Sequence, residues 1–120
     1  MTATPHPTDI KYSRKDRILT VTFNSDERFE LSAEFLRVYS PSAEVRGHGP
    51  GQEVLQTGKE NVTIDAIEPV GNYAVRLCFD DGHATGLYSF EELYRLGSLR
   101  DELWQTYLHQ LEQAGLQRSI

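Results

Sequence analysis

The segment Arg76–Leu96 constrains the fold most, because it carries the signals of a strand, a hairpin turn, a second strand and a helix in succession. Apolar and polar side chains alternate along Tyr73–Phe79, which is typical of a half-buried strand. Asp81-Gly82 follows, and we expect a type I′ turn there because both residues tolerate the positive φ that this turn requires. A short strand over Ala84–Tyr88 then completes a β-hairpin.

Two helices are predicted after this hairpin. The run Ser89–Glu92 has the spacing of a capping box, in which the serine oxygen accepts a hydrogen bond from the amide three residues later. Gly97 is expected to end the first helix, since glycine adopts the left-handed conformation without steric cost. Ser98 is expected to cap a second helix at about 99–113, which Gly115 closes.

The first half of the chain carries shorter signals. Extended runs are predicted at Asp9–Tyr12, Arg17–Phe23 and Phe29–Leu31, and Ser32 has the position of an N-cap before a short helix at Ala33–Leu36. The polar residues between the first two runs predict a hairpin turn. Residues 1–8 are expected to form a disordered tail, and residues 9–120 a single domain.

A long connection separates the two halves. Tyr39–Gly51 is rich in glycine and proline and predicts a loop that continues as a polar stretch to Glu60. A strand is expected at Val62–Ala66, followed by a tight two-residue turn at Gly71-Asn72. Because strands come first and helices last, the order predicts an α+β fold, with a small, mostly antiparallel sheet and two C-terminal helices.

Composition excludes several classes of function. Of the 120 residues, 38% are hydrophobic and 25% are charged, as in an ordinary globular domain. The net charge of −6 opposes binding to nucleic acid or to an anionic membrane surface, and no apolar run reaches the length of a membrane helix. Cys78 has no second cysteine with which to form a disulfide, and Met1–Thr8 does not have the pattern of a secretory signal, so we expect a cytoplasmic location.

No catalytic motif is present. The chain lacks the Gly-x-Ser-x-Gly elbow of serine hydrolases. The glycine-rich run Gly47–Gly51 matches neither the Gly-x-Gly-x-x-Gly pattern nor the P-loop pattern of phosphate-binding sites. The four histidines have no zinc-type spacing. Asp80 and Asp81 beside His83 are open to two interpretations, a polar hairpin turn or an acid–base or metal cluster, and the turn is favoured. We therefore expect neither an enzyme nor a cofactor.

Two segments resemble a known family. The run Leu36–Gly49 and the run Phe79–His83 leading to Tyr88–Leu93 together resemble the gamma-butyrobetaine hydroxylase-like N-terminal domain family. The resemblance spans roughly Ile10–Gly97. The bacterial members of the family are mostly small stand-alone proteins of unknown function. In the carnitine-pathway hydroxylases this domain precedes a separate iron- and 2-oxoglutarate-dependent catalytic domain, which is absent here. The resemblance therefore does not imply an oxygenase.

The resemblance also bears on metal binding. The hydroxylase domain holds a structural zinc through a Cys-Pro-Cys-x-x-Cys run and a distant histidine. Here Ser40, Ser42 and Val45 stand at the three cysteine positions, and His83 stands at the histidine position. Serine is a poor zinc ligand and valine is none, so we expect this site to be lost. We expect His83 instead to cap the hairpin or to form a hydrogen bond with the loop around Ser40–Ser42.

Two functions remain open. In the first, the chain is a non-catalytic accessory or interaction domain that binds a protein partner or itself. The apolar face of the last helix spans about 180°, more than the ~100° that packing against one core needs. Its candidate partner-binding residues are Trp104, Tyr107, Leu108 and Leu111, although the same face is also explained by packing across the sheet. The alternative is a metal or iron–sulfur accessory role, suggested by the family's likeness to a domain of some Mrp-type ATPases, with ligands from Cys78, His83, His48 and Asp81.

Overall fold

The computed structural model describes residues 5–42, 45, 55–56, 58–84 and 86–116, and all structural statements refer to these. They form two three-stranded antiparallel sheets and three helices, which confirms the predicted α+β class with two C-terminal helices. In chain order the elements are β1 (Pro7–Ser13), β2 (Ile18–Phe23), β3 (Arg28–Ser32), α1 (Ala33–Val38), β4 (Ile64–Val70), β5 (Ala74–Phe79), β6 (Gly86–Ser89), α2 (Phe90–Ser98) and α3 (Arg100–Gln113).

The first sheet has β2 at its centre, between β1 and β3. Side chains of β2 alternate as the sequence predicts, and Leu19, Val21 and Phe23 are buried in the core. The predicted turn between β1 and β2 is present. The first strand begins at Pro7, which corrects the expectation of a disordered tail over residues 1–8, because the end of that segment pairs with β2.

The second sheet has β5 at its centre, and its Val75, Leu77 and Phe79 side chains enter the core as predicted. The type I′ turn at Asp81-Gly82 is wrong, because among the described residues of this turn only Gly82 has a positive φ, at 89°. The chain instead makes a wider turn, in which the Phe79 N–H donates to the His83 carbonyl at 2.9 Å, and β6 begins at Gly86.

Two corrections concern the C-terminal helices. Gly97 does not end the first of them, because α2 continues to Ser98 and Gly97 does not have a positive φ. A Cβ at Gly97 would lie 2.4 Å from ring atoms of Phe29, so this glycine is required by close packing against β3. Ser98 does not cap α3 either, since the residue at the N-cap is Leu99 and no side chain makes a capping hydrogen bond.

The turn at Gly71-Asn72 has three residues instead of the predicted two, because Val70 pairs with Ala74. The predicted N-caps and the closing glycine are confirmed. The Phe35 N–H donates to Ser32 Oγ at 3.1 Å, and the Glu92 N–H donates to Ser89 Oγ at 3.0 Å, so both serines are N-caps. Gly115, with φ of 73°, closes α3. None of the described helices is both long and apolar enough to cross a membrane.

The main core lies between the two sheets, with α1 and α2 closing it. All six residues of α1 are buried, including the charged Glu34 and Arg37. A short helix buried on all sides requires a polar partner for each charged side chain that it carries inside. The end of α1 is therefore where polar chemistry is brought into the interior of the fold.

Candidate functional site

A cluster of buried or half-buried polar side chains joins the end of α1 to the turn between β5 and β6. We call it the polar cluster, and its members are Arg37, Ser40, Ser42, Asp81 and His83. Four of them are buried, and the Asp81 side chain is 23% exposed. The two sequence segments that meet here are about 40 residues apart, and the packing of the end of α1 against the β5–β6 turn brings them together.

Ser40 and His83 form the centre of the polar cluster. Ser40 Oγ lies 2.9 Å from His83 Nε2, and the two atoms share a hydrogen bond. The Ser42 N–H also donates to Ser40 Oγ, at 3.2 Å. The expected hydrogen bond between His83 and the loop around Ser40–Ser42 is therefore present.

Asp81 links two other segments, those of Arg37 and Lys59, to this centre. Its Oδ2 accepts from Arg37 Nε at 2.9 Å and from Lys59 Nζ at 2.7 Å, and its Oδ1 accepts from the His83 backbone N–H at 3.1 Å. Arg37 Nη1 in turn donates to Gln56 Oε1 at 2.9 Å. The bonds from Arg37 and Lys59 tie α1 and the connection after it to the β5–β6 turn, and the bond from the His83 amide lies within that turn.

The electrostatics of Asp81 follow from these contacts. Partial burial is the largest single influence and raises the pKa of the carboxyl group. The hydrogen bonds from Lys59, from the His83 amide and from Arg37 together outweigh it, and they lower the pKa of Asp81 from 3.8 to about 2. Asp81 is thus a carboxylate throughout the physiological range, and its charge is matched by two cations.

Gly86 is a member of the site that the sequence did not reveal. A Cβ at this position would lie 2.6 Å from Ser40 Oγ, so β6 approaches the serine as closely as the backbone allows. The neighbouring Tyr88 is fully buried, and its hydroxyl donates to the Leu36 carbonyl. The need for a glycine at position 86 and for the Tyr88 hydroxyl arises only because β6 packs against the end of α1, so no local sequence pattern could have indicated it.

A serine beside a histidine is the beginning of a nucleophilic dyad, but burial argues against that role here. Ser40 is 1% exposed and His83 is 5% exposed. An attacking hydroxyl must reach a substrate atom at close to 3 Å, and this one is enclosed by Gly86 and the Ser42 amide. The arrangement is suited to holding the segment after α1 in place.

The residues at the positions of the zinc ligands do converge, but they do not fit zinc. Val45 is buried, as are Ser40, Ser42 and His83, yet the set offers one imidazole, two hydroxyls and no thiolate. Zinc needs four donors, most often sulfur or nitrogen, and the histidine nitrogen already bonds to Ser40. Within the described part of the chain, no three His, Cys, Asp or Glu side chains are grouped to hold a metal ion.

The ligands suggested for an iron–sulfur role are placed apart in the fold. Cys78 is half-buried on β5, opposite Ala66 of β4, whereas Asp81 and His83 belong to the polar cluster in the following turn. His48 and most of the predicted loop from Tyr39 to Glu60 lie outside the described residues.

The second candidate surface is α3. Tyr107 and Leu111 are buried against Val38 of α1 in a small cluster of their own, and Trp104 and Leu108 are half-buried beside them. The Trp104 ring also meets the ring of Phe35, with centroids 6.4 Å apart. Of the four candidate partner-binding residues, the structure thus places two inside the molecule and leaves Trp104 and Leu108 partly accessible.

Comparison with known proteins identifies the family. Residues 10–94 match the family described as gamma-butyrobetaine hydroxylase-like, N-terminal. The chain belongs to this family. The resemblance carried by the two sequence segments is therefore confirmed. No curated protein matches the chain.

Solved structures agree with this assignment. Two NMR solution structures are 55% and 45% identical to this chain, with TM-scores of 0.82 and 0.84. Both alignments cover 98% of this chain, and they cover 90% and 92% of the other chains. A crystal structure of a protein of unknown function from Acidithiobacillus ferrooxidans, in the DUF971 family, is 35% identical with a TM-score of 0.66. That alignment covers 78% of this chain and 93% of the other.

Proposed function

We propose that this chain is a non-catalytic accessory domain that works by binding protein, with α3 as its docking element. The single observation that carries the proposal is the state of the polar cluster. Its side chains hydrogen-bond to one another and to neighbouring segments, so they serve to hold the segment after α1 against the β5–β6 turn. Chemistry on a substrate would need at least one of them to face an open cleft.

The helix α3 supplies the surface for binding. Trp104 and Leu108 lie on the partly accessible border of the apolar face, next to the buried Tyr107 and Leu111. Tryptophan and tyrosine are enriched among residues that dominate binding energy at protein interfaces. A helix that packs with one edge and leaves apolar side chains at the other is suited to hold a partner while remaining anchored to its own domain.

Capture experiments with matched variants test this proposal. Leu108→Lys places a charge on the accessible apolar border, and His109→Lys places the same charge on the next, exposed residue of the same helix. Both purified variants should melt within a few degrees of the wild type. We expect the wild type and His109→Lys to capture the same protein partner, a second copy of the chain included, and Leu108→Lys to lose it. Equal capture by all three would contradict the proposal.

A further inference from the structure

We propose that α3 exchanges between two copies of this chain, so that the α3 of each copy fills the groove that the α3 of the other has left. The inference rests on the proposed function and names its partner as a second copy. Three features carry it: a separate groove for α3, a one-residue hinge before it, and a cavity beside that hinge.

The groove holds its own cluster of buried residues beside the main core, and Tyr39 and Trp104 contact both clusters. It is formed by Val38 and Tyr39 at the end of α1, with Leu55 beside them, and it receives Tyr107 and Leu111. The Tyr39 hydroxyl marks its upper end, where it donates to the Leu103 carbonyl at 2.6 Å. Removing α3 would expose this apolar surface to water, together with the part of the main core that Leu103 and Trp104 cover. The groove therefore needs an occupant, and the helix that fits it is α3.

The hinge is Leu99, the one residue between α2 and α3. Its φ of −105° and ψ of 12° lie only about 40° and 55° from ideal helical values. The junction is already spanned by helical hydrogen bonds, from the Leu99 N–H to the Arg95 carbonyl and from the Leu103 N–H to the Leu99 carbonyl. A small rotation at one residue would therefore merge α2 and α3 into one straight helix.

Straightening would also give hydrogen-bond acceptors to the backbone N–H groups at the start of α3. No side chain caps its first turn, whose amides would gain the carbonyls of the last turn of α2 in a continuous helix. The merged helix of residues 90–113 would be about 36 Å long and would carry Tyr107 and Leu111 away from their own groove. A short connection of this kind favours exchange between copies over folding back.

Space is left on one side of the junction between α2 and α3. A cavity of about 420 Å³ lies between β3 and the junction, lined on the helix side by Gly97, Ser98 and Arg100. At its edges Gly97 packs closely on the Phe29 ring and Arg100 Nη1 donates to the Glu30 carbonyl at 2.8 Å, so the free space lies beside the first turn of α3.

Energetics favour a second copy as the occupant. In the exchanged pair each groove makes the same contacts with α3 that it makes within one copy, so the balance depends on the hinge and on protein concentration. A foreign helix would have to reproduce the positions of Tyr107 and Leu111, which a second copy already has. Exchange therefore requires no further partner.

Disulfide trapping between differently labelled copies tests the proposal. In a Cys78→Ser background, one copy carries Val38→Cys and the other carries Leu111→Cys. The two full-length proteins are mixed at high concentration, incubated and oxidised. We expect a disulfide-linked heterodimer at least tenfold more abundant than in a parallel mixture in which exposed His109→Cys replaces Leu111→Cys. A single chain with both Val38→Cys and Leu111→Cys checks that the pair can be bridged.

A second variant tests the hinge. Two glycines inserted after Ser98 lengthen the connection and let α3 fold back on its own chain, so the heterodimer should fall to the level of the His109→Cys control. The proposal is overturned if the doubly substituted chain oxidises internally while the mixture gives no excess heterodimer, or if the insertion leaves the heterodimer unchanged. If either result overturns the exchange while Leu108→Lys still loses a captured partner, the proposed binding function stands and the partner is another protein.

Discussion

Replacing Asp81 by asparagine removes the one negative charge that Arg37 and Lys59 share, while it keeps the size of the side chain. The pKa of this carboxyl group is lowered from 3.8 to about 2 by folding, which corresponds to roughly 2 kcal/mol of stability at neutral pH. Because residue 81 reaches the surface, solvent screening reduces the value to ~1–2 kcal/mol. We therefore expect Asp81→Asn to lower Tm by roughly 4–8 °C.

The dependence on pH has a definite sign. The pKa of Asp81 is lowered by folding, so its contribution is complete above pH 4 and is lost as pH falls from about 4 to about 2. Between these pH values the Asp81 carboxyl group becomes protonated in the unfolded chain while it stays largely ionised in the folded chain. Asparagine does not titrate, and the difference in stability between wild type and Asp81→Asn should therefore shrink to a small part of its pH 7 value at pH 2, where about half of Asp81 in the folded chain is still ionised.

Urea denaturation at pH 7, 4, 3 and 2 measures this directly. The matched control is Asp80→Asn, whose carboxylate accepts a hydrogen bond from the Thr63 amide at an exposed position, and which should change stability by less than ~0.5 kcal/mol. Equal stability of the two variants at pH 7 would refute the reasoning. So would a gap between wild type and Asp81→Asn that fails to narrow on acidification.

Three further predictions follow from the packing and the donor set. Gly97→Ala should destabilise the fold by ~1–2 kcal/mol in urea denaturation although alanine favours helices, because its Cβ would meet the Phe29 ring. Adding Phe29→Leu in the same chain should recover part of the loss. A Gly97→Ala variant more stable than the wild type would contradict this account of the packing. Tyr39→Phe should remove the bond to the Leu103 carbonyl, cost ~1 kcal/mol and speed hydrogen exchange in α3 more than in α2. Added zinc should leave Tm unchanged, since the donor set does not fit the metal; a rise of several degrees would show that a site exists.

The sequence predicted well wherever one short segment contains all the atoms of an interaction. The caps at Ser32 and Ser89 each need only a hydroxyl and an amide three residues later. The alternation in β2 and β5 needs only the two faces of a strand. These features are decided by local geometry, so reading them requires no knowledge of the rest of the fold.

The predicted site was only partly accessible to such reasoning. Family resemblance singled out Ser40, Ser42 and His83, and the structure does bring them together. The sequence did not indicate that Arg37 and Lys59 converge on Asp81, because ion pairs between distant segments have no characteristic spacing in a sequence.

By itself, then, the sequence determined the α+β class, the strand faces, the starts of α1 and α2 and the lack of a metal-binding thiolate set. Only the tertiary structure decided why Gly97 and Gly86 are glycines. Local rules assign Gly97 to a helix end, yet its role comes from the Phe29 ring of a distant strand, and Gly86 makes room for Ser40. A missing side chain leaves no local pattern, and its reason is visible only once the neighbour that needs the space is in place.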